Sequence, residues 1–330
     1  MFLVVRHRAI ELTTDRAIEN VINNKVKDKF DTIINKNDVT IVIPTLNEET
    51  AIGLVIESLL DEEYFNILIV DGYSDDLTLN IAKQYGVEII YQHGKGKTGA
   101  IKTAIEHVKT KYIVIIDGDF TYNATDINVF LNHLNNYDEI IGARKYGRDN
   151  IKKLNRFGNW IINKIFNLLM GTNLSDVCSG LYALRTEFAR ELVLETQGFD
   201  VEIEIASQAA INGNITEVPI NYGKRLGIQK LQPFRDGIII LTSIIKIARI
   251  YNPLVFYSIF GLMSLIPTFL ILLWVMLEWF NGIWHSGIAL VGVMFALLSF
   301  QAFTIGTISM QQKRMEKRIL KKLRNYIDKN

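Results

Sequence analysis

The chain has 330 residues, enough for one sizeable α/β domain with something added. Its formal net charge of +1 gives no global case for a nucleic-acid partner. A single cysteine, Cys178, excludes an internal disulfide and agrees with a reducing compartment, and no basic, apolar, small-residue leader opens the chain, so no cleaved signal peptide is expected.

Residues 1 to 38 mix both charges with apolar positions such as Ile10, Ile18, Val21 and Ile22 at helical spacing, and this N-terminal extension receives no function. From Val39 the pattern becomes strand, punctuation, helix, repeated: "VTIVIP", "EETAIGLVIESLL", "NILIVD", "LTLNIAKQYG", "VEIIYQ", "KTGAIKTAIEHV", "YIVIID", "TDINVFLNHL", "DEIIGA". Such alternation predicts a largely parallel, doubly wound sheet with helices on both faces. In that architecture ligands bind outside the carboxyl ends of the strands. The first strand ends in Pro44, Thr45, Asn47 and Glu48, and the second in Asp71, followed by Asp75 and Asp76, which are read as caps of the next helix near Leu77.

The strand "YIVIID" ends in Asp117 and Asp119 with only Gly118 between them, and a turn at glycine can bring both carboxylates to one point. Two hard oxygen ligands suit Mg²⁺ or Mn²⁺, which would in turn hold a diphosphate. The stretch "YQHGKGKTGA" imitates a phosphate-cradling P-loop around Lys97, but Tyr91 stands where that motif wants glycine. A P-loop NTPase is therefore the rival enzyme, and Lys97 is otherwise a charge beside the ligand. A membrane-anchored, non-catalytic nucleotide-sugar binder is the rival of another class.

Arg144 follows "DEIIGA" and is expected to project from a strand end toward the crevice. The helix after it places Leu154, Phe157, Ile161, Ile165, Leu168 and Leu169 on one face, with Asn155, Asn159, Asn163 and Asn167 on the other beside Arg156. A basic amphipathic helix of this kind can lie on a membrane or pack on the domain. Asp176, Asp200, Glu202 and Glu204 are candidate acids or bases, with structural capping as the alternative, and Cys178 reads as a packed thiol. Arg225 and Lys230, on a glycine-containing loop, could close over a diphosphate. Residues 231–252 read as an interfacial amphipathic helix, and residues 253–277 and 287–309 carry no charge and reach the ~20 residues that cross a bilayer. They form a transmembrane hairpin flanked by Trp279 and Trp284, and the basic tail after it, residues 310–330, sets both ends and the domain in the cytoplasm.

As an ordered set, "VIPTLNEE", "IVDGYSDD", "GKGKTGAI", "IDGDFTY", "IGARKYG", "NRFGNW", "CSGLYALR", "GFDVEIE" and "YGKRLGIQKL" resemble family 2 glycosyltransferases of the GT-A fold, over residues 39 to about 230. More closely they look like the dolichyl-phosphate mannose synthase group and its relatives that charge polyprenyl phosphates with glucose or N-acetylglucosamine. That resemblance implies a donor site of Pro44, Thr45, Asn47, Glu48, Asp71, Lys97, Asp117 and Gly118, with Arg225 and Lys230 on the donor diphosphate. It puts the metal on Asp119 with Asp117, and the lipid phosphate on Arg144 and Arg156. Thr121 occupies the place where some mannose synthases have a glutamine metal ligand. The implied partners are a nucleotide sugar, UDP-linked before GDP-mannose, dolichyl or polyprenyl phosphate, and the bilayer. The Q-x-x-R-W signature of polymerising relatives is missing, so a single sugar transfer is expected.

Overall fold

The computed structural model describes residues 34–196, 200–227 and 233–327. Residues 1–33, most of the N-terminal extension, and Lys230 lie outside the described residues.

Apolar, β-branched runs build the sheet. Strands β1 (Val39–Thr45), β2 (Ile67–Asp71), β3 (Glu88–Tyr91) and β4 (Tyr112–Ile115) run parallel to one another, and β1, β2 and β4 are almost wholly buried. Runs of Ile and Val without polar alternation fit strands covered on both faces. With β5 (Glu139–Tyr146), β6 (Tyr182–Arg185) and β7 (Ile215–Asn221) the sheet has seven strands in the order β3-β2-β1-β4-β6-β5-β7. β6 runs antiparallel to both β4 and β5, so Val114 faces Ala183 and Ile140 faces Ala183 from the other side. Winding runs outward from β1 through β2 to β3, then returns to β4 on the far side of β1. The reversal opens a crevice outside the carboxyl ends of β1 and β4.

Helices α1 (Ile52–Asp61), α2 (Thr78–Gln84) and α4 (Ile127–Leu131) belong to one side, where Ile52, Ile56, Leu59, Ala82, Ile127 and Phe130 pack on Ile41, Ile43 and Val114. On the other, α3 (Gly96–His107), α6 (Thr186–Glu191) and α7 (Val201–Asn212) supply Ile101, Ala104, Ala189, Val201 and Ile205 against Val42, Val70 and Ile113. Burying one such aliphatic side chain contributes about 1.5–3 kcal/mol.

A third core joins α5 (Lys153–Met170) to α8 (Pro233–Tyr251) and α7 through Ile162, Phe166, Leu169, Ile203, Ile240, Ile244 and Ala248. This corrects the expected faces of α5. Its asparagines point inward: Asn163 and Asn167 donate to the carbonyls of Ser175 and Leu174 at 2.7 Å each and accept from the amides of Val177 and Leu174. They pin the loop 171–178. The outward stripe is Leu154, Phe157, Trp160 and Leu168, with Phe157 and Trp160 stacked at 6.2 Å. On α8, Ile238, Ile239, Ile245 and Ile250 are exposed opposite the buried face.

The last two helices, α9 (Pro253–Phe280) and α10 (Ser286–Ile327), are each long and apolar enough to cross a membrane. They approach closely at small residues. Ser299 Oγ donates to the Gly261 carbonyl at 2.8 Å, and a Cβ on Gly261 would stand 3.0 Å from the Phe303 ring. α10 continues without a break from its apolar part into the basic tail.

Candidate active site

The ends of β1 and β2 are laced together by polar groups. Asp71, fully buried, accepts from Thr45 Oγ1 at 3.0 Å and from the amide and hydroxyl of Ser74 at 2.8 and 2.6 Å. Asn47 sits in the left-handed region at φ 54°, where asparagine is tolerated; its amide donates to Ser74 Oγ and its side-chain oxygen accepts from the Asp75 amide. The Glu48 amide donates to Thr78 Oγ1 at 2.8 Å. Asp76 caps α2 by accepting from the Thr78 amide at 2.9 Å, as expected of this pair of aspartates, while Asp75 contributes its backbone instead.

Beside this rim stands the turn after β4. Gly118 packs against the side chains of Ile43 and Thr45, close enough that an added Cβ would lie 3.4 Å from each. Asp117 and Asp119 diverge to different cations. Asp117 Oδ1 accepts from Lys97 Nζ at 2.6 Å, and the same amine lies 2.5 Å from Glu202 Oε1. On the opposite side of Asp117 is the Cα of Gly180, where a Cβ would fall 1.9 Å from Oδ2; the Gly180 amide donates to the Tyr122 hydroxyl at 2.7 Å. Asp119 Oδ2 accepts from Arg225 Nη1 at 2.6 Å, and its Oδ1 accepts from the amide and hydroxyl of Thr121 at 3.1 and 2.5 Å. Arg225 reaches Glu48 Oε1 with its other nitrogen at 3.0 Å. The segment bearing Arg225 is fastened over the turn: the Gly223 amide donates to the Thr121 carbonyl at 2.7 Å and the Leu226 amide to that of Asp119 at 3.2 Å.

Four carboxylates, Glu48, Asp117, Asp119 and Glu202, thus meet two cations, Lys97 and Arg225. Burial, and then the charge of Asp117, push the pKa of Asp119 above the usual aspartate value, against the opposing pull of Thr121 and Arg225. Burial disfavours the charge on Lys97, but Asp117 and Glu202 outweigh it and hold the amine well above an ordinary lysine. Lys97 lies in the first turn of α3 and is committed to these carboxylates, so it does not serve a P-loop.

Arg144 does not stand at a strand end. β5 runs on to Tyr146, and the Arg144 side chain is buried, with Nε and Nη2 forked onto Asp176 at 2.6 and 2.7 Å and its guanidinium 5.2 Å from the centre of the Tyr222 ring. Asp176 is presented by the loop that the α5 asparagines hold. Arg156 is more exposed and pairs with Asp149 at 2.8 Å, an aspartate wholly in solvent. Asn159, with its amide oriented to satisfy its neighbours, accepts from Arg144 Nη2 at 3.3 Å, which places Arg144 against the helix that carries Arg156.

A family model described as Glycosyl transferase family 2 matches residues 40–193. Glycosyltransferase AglJ of Haloferax volcanii is 35% identical over 279 residues, which cover 82% of this chain and 92% of AglJ. The chain belongs to glycosyltransferase family 2. A dolichyl-phosphate hexose transferase of the same organism is 34% identical over 216 residues, 64% of this chain and 94% of that protein. Among solved structures, glucosyl-3-phosphoglycerate synthase from Mycobacterium tuberculosis, in complex with Mn²⁺, UDP-glucose and phosphoglyceric acid, superposes with a TM-score of 0.52 at 18% identity over 64% of this chain and 79% of that one, a likeness of fold. The enzyme is therefore a glycosyltransferase with a GT-A-like domain and two candidate membrane helices.

For this family 2 glycosyltransferase the structure brings Thr45, Glu48, Asp71, Lys97, Asp117, Gly118, Asp119, Thr121 and Arg225 to one rim, and sets Arg144 and Arg156 apart on the α5 side. Gly180, Tyr122 and Tyr222 lie within the motifs "CSGLYALR", "IDGDFTY" and "YGKRLGIQKL" that carry the resemblance, but none was singled out as a site residue. Glu202 and Asp176 stood only among undifferentiated acids, because nothing in the spacing of residues 97, 117 and 202 says that they meet.

Proposed function

We propose that this enzyme moves a single sugar from a nucleotide-sugar donor to the phosphate of dolichol or another polyprenol, at the cytoplasmic face of the membrane that α9 and α10 cross. The reading is carried by one observation: Arg225, 106 positions along the chain from Asp119 and 177 from Glu48, bridges the two in the crevice between β1 and β4. An anionic rim with a mobile-stemmed guanidinium at its edge suits a cation bound to a diphosphate. The dolichyl-phosphate hexose transferase relative supports the acceptor, and the UDP-glucose bound by the structural neighbour supports a UDP-sugar ahead of GDP-mannose.

The residues fit a divalent ion in charge. Their four carboxylates exceed their two cations. Among the described residues no group of three His, Cys, Asp or Glu side chains converges, so Mg²⁺ or Mn²⁺ would take Asp117 and Asp119 from the protein and its other ligands from diphosphate and water. Thr121 then supports Asp119 through its hydroxyl. Such an ion neutralises charge on the departing nucleoside diphosphate.

We assign Pro44 to Glu48 and Asp71 to the nucleoside, Lys97 to holding Asp117, and Arg225, with Lys230, to the diphosphate once Arg225 leaves its carboxylates. Arg156, above the braced Arg144, meets the acceptor phosphate. A phosphomonoester with a second pKa near ~6 is already largely dianionic at neutral pH, so it attacks without a general base. In-line displacement inverts the anomeric centre. The test is to incubate the purified full-length protein with labelled UDP- and GDP-sugars, Mn²⁺ and polyprenyl phosphate. Formation of a labelled glycolipid is expected; donor binding without turnover would favour a sensor, and ATP hydrolysis with no glycolipid would defeat the assignment.

A further inference from the structure

Glu202 has no part in the reaction as drawn above, yet it is one of the least dispensable-looking groups near it. It lies in the first turn of α7, is 6% exposed, and is locked there by Val201, Ile203 and Ile205, each fully buried. Its neighbour Glu204 has an evident structural task, accepting from the amides of Glu195 and Thr196 and from the Thr196 hydroxyl. Glu202 instead points to Lys97, at 2.5 Å, and through it to Asp117.

We propose that Glu202 is a positioning residue for the transferase: by gripping Lys97 from beneath it fixes the direction in which Asp117 faces the donor. The proposal rests on the reading of Asp117 as a donor-site group. Asp117 is clamped on two sides, by the Lys97 amine at Oδ1 and by the Gly180 backbone at Oδ2. Gly180 is a wall that cannot move far, being tied to Tyr122. Lys97 is different, because an ammonium on a four-carbon stem turns readily toward a stronger anion. A bound diphosphate is such an anion. With a second carboxylate below it, the amine stays where Asp117 needs it. Stability does not call for the arrangement, since a buried ion triad is commonly no more stabilising than apolar groups of the same size. The Tyr182 hydroxyl, buried alongside and without a hydrogen-bond partner, adds no alternative anchor for the amine.

The experiment uses the full chain in detergent and compares Glu202→Gln, Lys97→Met, their double variant and Asp117→Asn. The readouts are kcat and KM for the nucleotide sugar that the panel turns over, titration calorimetry with UDP or GDP in the presence of Mn²⁺, and the melting temperature. Groups that orient a site from behind its ligands typically matter roughly 10–100-fold, and Glu202→Gln is expected to lose that in kcat while donor KM and the melting temperature barely move. In the Lys97→Met background the same change should do nothing further. A Glu202→Gln enzyme with wild-type kcat, or one whose loss persists undiminished without Lys97, overturns the proposal, the second outcome meaning that Glu202 touches the reactants itself. A loss of kcat accompanied by a fall of several degrees in melting temperature assigns Glu202 to the fold and overturns it too. Full activity in Asp117→Asn would instead defeat the reading of the donor site, whereas an inactive Asp117→Asn beside a normal Glu202→Gln defeats the positioning role alone.

Discussion

Replacing Arg144 by alanine should unsettle the fold before it unsettles substrate binding. The guanidinium makes two charge-assisted bonds to Asp176, at 2.6 and 2.7 Å, between side chains that are each 9% exposed, and a third to the Cys178 carbonyl at 3.2 Å. Removing one member of a buried pair leaves the other charge uncompensated, at a cost of about 3–5 kcal/mol. For a domain of this size each kcal/mol lowers the melting temperature by ~2–4 °C, so the expected fall is roughly 6–20 °C. Asp176→Ala should cost as much. The double variant Arg144→Met, Asp176→Leu should recover most of the loss, because apolar groups of similar volume replace such a pair at little or no cost. Differential scanning fluorimetry of the purified protein in detergent measures all four. Single variants that melt within about 2 °C of wild type, a shift worth no more than ~1 kcal/mol, would refute the bracing role and return Arg144 wholly to the acceptor phosphate.

Asp119→Asn should abolish transfer with the fold intact, because an amide is a far poorer partner for a hard cation; near-normal activity that EDTA leaves untouched would remove the metal from the scheme. Gly180→Ala should also inactivate, since its Cβ would lie 1.9 Å from Asp117 Oδ2, with overpacking costing about 1–3 kcal/mol in melting measurements; an active Gly180→Ala enzyme would mean that Asp117 tolerates another direction. Glu139 is buried with Oε2 unpartnered, and burial, then the nearby Glu202, raise its pKa well above the usual 4.5. The folded state therefore keeps a proton that the unfolded chain releases, and stability falls as pH rises from that unfolded value through the folded one. Glu139→Gln should accordingly be more stable than wild type by a margin that widens with rising pH, and a margin that narrows would reverse the assignment.

The strand pattern from Val39 to Ile116 was legible because buried strands of a parallel sheet are written as unbroken Ile and Val, and the glycine-centred aspartates at the end of β4 marked the crevice that the strand order then located. Thr45, Asp71 and Glu48 were visible for the same reason, as polar residues ending apolar runs. β6 was not foreseen as an antiparallel insertion, since four residues such as "YALR" carry no direction. The α5 asparagines misled because periodicity separates polar from apolar faces but does not say which faces water; here Asn163 and Asn167 spend their amides on the loop of Asp176, and apolar Phe157 and Trp160 stay outside. Arg144 and Glu202 depended on partners 32 and 105 positions along the chain, contacts that only the folded sheet creates.

The unbroken course of α10 has a mechanical side. Its 42 residues make a rod of ~63 Å, about twice the hydrocarbon thickness of a bilayer. Roughly half of that length is left over once the span is seated, and Lys313 Nζ binds it to the Ile250 carbonyl at the end of α8. With no break between its apolar and its basic part, α10 carries the basic residues as the rigid continuation of a candidate span. A polyprenyl chain dissolved in the bilayer would then present its headgroup at one level whatever the number of its isoprene units. Under the proposed function, selection among acceptors would then fall to the headgroup and not to the length of the tail.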